Sequence, residues 1–372
     1  MGDNPLDRVA RIKLSIGSVE RGRSEGEFYE PRSLAFDHHR GLLLVVDCYN
    51  HRVQLVSYED YDSFVSEFGR EGSQPGYFYY PYGLAIDHDL DRILVVDSGR
   101  NRVQSFSLSD QSFLSCVGEY GSRVHFNCPQ GIAIDKHHRR VIIADSNNNR
   151  LVFLSSIDLS FLFSIGKRVA RPGVFNSPSD VAIDHARHRI IVSDTYNHRV
   201  QVLSLTDGSF LFKFGSQGDQ PGQFNRPLGV CVDNHGRIIV ADYLNFRLQA
   251  FTYEGHHISF FDCGCAKPYG VAFDEHRGLI AFSAGNQVHV IGVYEWLADT
   301  KFVWLPERHR YAPSWIKHAV LTMTMIRSLV DESSMSMIPN ELLFEIFSHL
   351  EAPECTTRDQ AREKSSKACA MV

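Results

Sequence analysis

The chain has 372 residues, 43% of them apolar and 22% charged, the balance of an ordinary globular protein. A net charge of −6 excludes a molecule built as a whole to collect polyanions. Met1–Arg11 is polar, with no apolar signal core, and no run of about 18 uncharged apolar residues follows, so a cytoplasmic, reduced protein is expected rather than a secreted or membrane-spanning one.

Residues 1–10 read as a tail. Arg11–Gly17 (RIKLSIG) then alternates polar and apolar residues and predicts a strand. From Pro31 onward the chain is a succession of short alternating runs bounded by Asp, Asn and Gly, which is the pattern of strands and tight turns. The clearest unit is Pro178–Gly215. Its apolar runs at 180–183, 190–193, 200–205 and 210–214 are separated by Asp184-His185, Asp194-Thr195 and Asp207-Gly208. Four strands with such short connections predict one antiparallel meander, whose apolar faces need neighbours.

The neighbours are copies of the same unit. A proline recurs at Pro31, Pro81, Pro129, Pro178, Pro227 and Pro268, with an aspartate six residues on at Asp37, Asp87, Asp135, Asp184, Asp233 and Asp274. A second aspartate (Asp47, Asp97, Asp145, Asp194, Asp242) is followed five residues later by an arginine (Arg52, Arg102, Arg150, Arg199, Arg247); the sixth copy has Ser283 and Val288 instead. A phenylalanine precedes the first five prolines by three residues (Phe28, Phe78, Phe126, Phe175, Phe224). Self-similarity every 41–50 residues with four strands per copy predicts a β-propeller. The sixth copy has strands at 270–274, 279–283 and 287–292 but no fourth, so the N-terminal strand is expected to complete it and close the ring. The expected organisation is therefore all-β: a tail 1–10, a six-bladed propeller 11–293, a helical extension 294–350 and a polar, disordered tail 351–372.

The run Pro-x-Gly-Val-x-Val-Asp…Ile-Ile-Val-Ala-Asp…Asn-x-Arg at 227–247, with Asn-His-Arg-Val at 50–53 and 197–200, resembles the NHL repeat. The resemblance covers about three quarters of the chain. It implies a propeller related to those of RING/B-box ubiquitin ligases, although no Cys/His array with zinc spacing, and so no RING, is encoded here. The resemblance extends to amidating-lyase propellers, which hold a metal through channel-facing histidines; the inner segments here (33–37, 83–87, 131–135, 180–184, 229–233, 270–274) carry none. With no metal, cofactor or catalytic constellation legible, the chain is expected not to be an enzyme.

In a propeller the loops before the prolines and those after the second aspartates open on one face, here termed upper. The repeated Asp, Asn and Arg are expected to hold turns, the arginines by reaching a neighbouring blade's carboxylate. The phenylalanines are expected to wedge between blades. Recognition is assigned instead to residues that differ between copies: Arg32, Tyr82, Gln130, Ser179, Leu228 and Tyr269, each one after a proline, with Tyr49, Tyr196 and Tyr243 in the loops after the second aspartates and Tyr29, Tyr79 and Tyr80 in the loops before the prolines. Tyrosine beside arginine is interface-like composition. Half of the 18 histidines fall in the turns of the opposite face, expected to be spread too widely around the ring to share a metal.

After Val293 the pattern becomes helical over Pro313–Val330. Ile338-Pro-Asn-Glu-Leu-Leu-Phe-Glu-Ile-Phe-Ser-His-Leu350 is similar to the first helix of an F-box (Leu-Pro-x-Glu-Leu-Leu-x-x-Ile-Phe), which implies a cullin adaptor as partner, contacted by Pro339, Leu343, Ile346 and Phe347. The chain ends Cys369-Ala-Met-Val372, a C-a-a-X pattern that would prenylate Cys369 and bring the protein to a membrane. The function expected is a protein-interaction scaffold for substrate recognition in ubiquitin ligation. The alternatives are a single-stranded RNA-binding propeller and a propeller lyase or hydrolase.

Overall fold

The computed structural model describes residues 12–58, 63–118, 124–166 and 174–297. They form six four-stranded antiparallel sheets. Blade 1 comprises strands a to d at Pro31–Asp37, Leu42–Asp47, Arg52–Ser57 and Ser63–Phe68, and blades 2 to 5 repeat it from Pro81, Pro129, Pro178 and Pro227. Blade 6 takes strands a to c from Pro268–Asp274, Leu279–Ala284 and Gln287–Gly292. Its outer strand is Ile12–Ile16, from the other end of the chain, with Ser15 opposite His289 and Ile16 opposite Val288. Each inner strand packs against the inner strands of both neighbours, Pro268–Asp274 against Pro31–Asp37 included, so the ring is closed.

The burial pattern explains which runs alternate and which do not. The b strands Leu42–Asp47, Arg92–Asp97 and Arg140–Asp145 are buried throughout, because both faces of a blade meet other blades. Outer strands such as Phe113–Val117 are partly exposed. The core is consequently a set of layers between blades. One layer joins Leu44, Val46, Val53 and Leu55 of blade 1 to Leu84, Ile93 and Val95 of blade 2 around Phe78, which is 0% exposed. Burying such a side chain is worth about 1.5–3 kcal/mol. The wedge also explains the glycine that ends the preceding outer strand: Gly69 has φ +85°, and a Cβ there would lie 2.2 Å from the Phe78 ring.

A short helix, Val293–Leu297, ends the described residues and buries Val293 and Leu297 against blades 5 and 6. Trp296 packs on Phe261, ring centroids 6.1 Å apart. This tryptophan therefore packs on the propeller, where the sequence pattern placed it in a separate extension. The helical run 313–330, the F-box-like segment with Pro339, Leu343, Ile346 and Phe347, and Cys369 lie outside the described residues.

Candidate interaction surface on the upper face

The upper loops are tied down by one repeated polar device. Asp47 is 0% exposed; its Oδ1 accepts from Tyr29 N at 2.8 Å, and its Oδ2 accepts from Arg52 Nε at 2.8 Å, Asn50 Nδ2 at 2.9 Å and Gln54 Nε2 at 3.1 Å. Arg52 continues to the carbonyls of Ser24 and Glu27, so the loop entering the blade is held from below. Blades 2 and 5 repeat the device through Asp97 and Arg102 and through Asp242 and Arg247. This corrects one expectation. The arginine pairs with the aspartate of its own blade, because the two face each other across the b–c ladder (Asp47 opposite Arg52), and not with a neighbouring blade. Between them the chain makes one 3-10 turn and one left-handed residue: His51, Asn101, Asn149, His198 and Phe246 have φ between 51° and 57°. That explains the frequent Asn at this position, which tolerates the conformation.

With the loops fixed, four tyrosines form a ridge across blades 1 and 2. Tyr29 meets Tyr49 at 4.9 Å, Tyr49 meets Tyr80 at 5.1 Å, and Tyr80 meets Tyr79 at 4.6 Å between ring centroids. The His51 ring stacks on Tyr79 at 5.4 Å, and its Nδ1 accepts from Tyr80 N at 3.0 Å. Burial holds the His51 pKa below its ordinary value, which keeps this acceptor neutral. Arg21 lies over Tyr29 at 5.4 Å and Arg100 over Tyr79 at 4.9 Å, one cation at each end. All four tyrosines keep part of their surface in solvent. All four tyrosines were expected on this face from the sequence; what the fold adds is that they join into one ridge.

The remaining assigned residues divide. Arg32 sits at the centre of a second group: its guanidinium is 3.8 Å from the Tyr269 ring and 5.4 Å from Tyr82, and it pairs with Glu30 at 2.5 Å. Tyr243 joins through Tyr269 at 5.1 Å, with Lys267 over it at 5.3 Å. Burial pushes the Tyr82 hydroxyl up to about 12 against the pull of Arg32, so it stays a neutral donor. Tyr269 itself is 7% exposed, covered by Arg32, and supports the group rather than contacting a partner. Gln130 stands on the next inner strand, and its Oε1 is buried with no hydrogen-bond partner. Leu228 is half-buried on blade 5, and Tyr196 lies far from the ridge in sequence, 50% exposed, with Arg226 at 5.0 Å.

Ser179 is a correction. It is 2% exposed, and its Oγ lies 2.7 Å from Thr195 Oγ1, which donates to Pro227 O at 2.6 Å. The single Thr195 proton is used on the carbonyl, so Ser179 donates to Thr195. Thr195 braces blade 4 to blade 5, and Ser179 beneath it is shielded from any partner. Beside it Asp180 accepts from Val181 N and Val230 N, both at 2.9 Å, and burial pushes its carboxyl up to about 7. The inner strands approach closely here and around the ring; a Cβ on Gly270 would sit 2.0 Å from Arg32 O.

On the lower face the expected wide scatter of histidines is only partly found. His38, His39 and His88 are gathered within one group, because the inner strands that carry them converge on the ring axis.

Comparison with known proteins agrees with this geometry. The NHL repeat model matches residues 28–54, 78–106, 126–152, 175–203 and 224–251, leaving the sixth blade, with its Ser283 and Val288, unmatched. No curated protein is matched by the sequence. Among solved structures, a streptogramin B lyase is similar with a TM-score of 0.52 and 13% identity over 72% of this chain and 96% of that one. A gluconolactonase from Xanthomonas campestris is similar with a TM-score of 0.57 and 16% identity over 72% of this chain and 86% of that one. A nidogen/laminin complex contains a chain similar with a TM-score of 0.51 and 15% identity over 65% of this chain and 84% of that one. The lyase and the lactonase overturn the expectation that the chain is not an enzyme: catalysts are built on this same ring, so the absence of a legible motif does not license that reading. The protein is a six-bladed β-propeller of NHL repeats.

Proposed function

We propose that the propeller is a protein-recognition module whose upper face, centred on the ridge Tyr29–Tyr49–Tyr80–Tyr79, receives a protein partner, and that the chain serves substrate recognition in ubiquitin ligation. The ridge carries the reading. Its tyrosines are joined to one another and flanked by arginines, yet the fold does not need their rings, since the loops are already held by Asp47, Asp97 and their partners. Tyrosine and arginine on rigid loops are the composition of binding hot spots. NHL propellers are in general protein-interaction domains. The ubiquitin link is supported by the similarity of residues 338–350 to an F-box helix.

Two observations disfavour RNA as the ligand. The repeat arginines are consumed by aspartates, Arg52 by Asp47 and Arg102 by Asp97, and the net charge is −6. The two halves of the proposal separate in one experiment on the full chain. Leu343→Ala with Phe347→Ala should remove a co-purifying cullin adaptor while the thermal midpoint stays unchanged. Loss of the midpoint, or no adaptor with the wild type, would refute the ubiquitin link and leave the upper-face reading standing. RNA held at physiological salt, with a steep salt dependence, would refute the upper-face reading itself.

A further inference from the structure

The lower mouth of the ring holds a group that neither the fold nor the upper-face reading uses. His38 and His39 stand in the a–b turn of blade 1, and His88 in that of blade 2. A nitrogen from each can be chosen so that all three lie within 4.8 Å of one another. Ring centroids are 4.0 Å apart for His38 and His39, 5.2 Å for His38 and His88, and 4.8 Å for His39 and His88. His276, from the a–b turn of blade 6, lies 4.0 Å from His38. Three imidazoles from two adjacent blades thus gather at one point, and His276 of a third blade flanks them beside His38.

Two further features suit this point to a cation. Beneath the rings Asp37 is 1% exposed; its Oδ2 accepts from Arg40 Nε, and its Oδ1 is buried with no hydrogen-bond partner. Asp37, His39 and His88 line one shallow cavity of about 320 Å³ together with Asp91.

We propose that His38, His39 and His88 bind a divalent transition-metal ion, zinc above others, with His276 within reach as a fourth donor. Imidazole nitrogens are borderline donors that favour zinc, nickel and copper over calcium or magnesium. A tetrahedral zinc with nitrogens at 2.0–2.1 Å sets those nitrogens about 3.3 Å apart. Side-chain rotation in the turns supplies the closure from 4.8 Å. The unpartnered Oδ1 of Asp37 would be the carboxylate oxygen to orient a ligand imidazole once the rings close on the ion, as carboxylates do behind metal-bound histidines. The ion would clamp the turns of blades 6, 1 and 2, the side of the ring where the two ends of the propeller meet.

The test uses the full chain stripped with chelator and titrated with zinc chloride by calorimetry, alongside the visible spectrum of the cobalt form. The expected result is one equivalent of zinc bound, a tetrahedral cobalt spectrum, and a thermal midpoint raised by zinc. In His39→Ala with His88→Ala, affinity falls at least tenfold and the zinc-dependent rise disappears, while His137→Ala, which lies beside His185 and His188 in the turns of blades 3 and 4, changes neither. His39→Gln, at an exposed position, keeps the test valid if the double variant fails to fold. No stoichiometric binding by the wild type, or equal binding by wild type and variants, would overturn the site.

Discussion

Deleting the first 17 residues should open the ring. Ile16 is 0% exposed and lies in the layer formed by Phe28, Leu34, Leu43, Val45, Val288 and Val290, with Leu14 packed beside it. Losing the fully buried Ile16 costs about 1.5–3 kcal/mol, and the partly buried Leu14 adds a fraction of that. The strand's ladder to Gln287–Gly292 goes as well, together with the 2.8 Å contact of Ser15 Oγ with His289 Nδ1 and the 3.2 Å bond from Gln287 Nε2 to Gly17 O. Against a total stability of roughly 5–15 kcal/mol, that is a large part of the whole. The new edge, Gln287–Gly292, would offer unpaired backbone groups to another chain. Differential scanning calorimetry and analytical ultracentrifugation of residues 18–372 should show a midpoint lowered by many degrees and association into dimers or larger species. A monomer melting within a degree of the full chain would refute the closure argument.

Asp97→Ala removes at once the acceptor of Arg102 Nε, Gln104 Nε2 and the Tyr79 N–H, and taking one partner from a buried ion pair costs about 3–5 kcal/mol; urea unfolding that shows a loss under about 1 kcal/mol would contradict the role given to the Asp–Arg device. His289 is held by burial at about 4, below the ordinary 6.5, so the folded state favours its neutral form. That stability is complete above 6.5 and is lost as pH falls towards 4, with a ceiling of about 3 kcal/mol at roughly 1.4 kcal/mol per unit. Asp180, raised to about 7, works in the opposite direction, so the decisive comparison is the change in midpoint between pH 7.5 and 4.5 in wild type and His289→Gln; equal changes would contradict it.

Much of the ring could be read directly from the sequence because the chain repeats the same physical problem. Each of the first five blades needs a wedge, a start and a brace, and Phe78, Pro81 and the Asp97–Arg102 pair recur at matching positions. Even closure was legible, since the sixth copy lacked a strand and Arg11–Gly17 supplied one. What escaped was set by convergence in space. Ser179 differs between copies like Tyr82 does, but only the fold shows that it lies beneath Thr195. His38 and His88 are separated along the chain by about one repeat and His276 by nearly the whole ring, and only the fold unites them. Trp296 looked like the start of a new segment because its partner, Phe261, is 35 residues upstream in another blade. The partner direction of the repeat arginines depended on ladder register, which spacing alone leaves open.

The upper-face reading is tested most directly by Tyr49→Ala combined with Tyr80→Asn, asparagine being chosen because Tyr80 sits at φ 52°. Proteins cross-linked to and captured with the full chain would be quantified for wild type, for this variant and for a lower-face control, His137→Ala, with thermal midpoints measured in parallel. The account predicts that specific partners captured by the wild type and by the control are lost from the ridge variant at an unchanged midpoint. An identical set of partners on all three would contradict it.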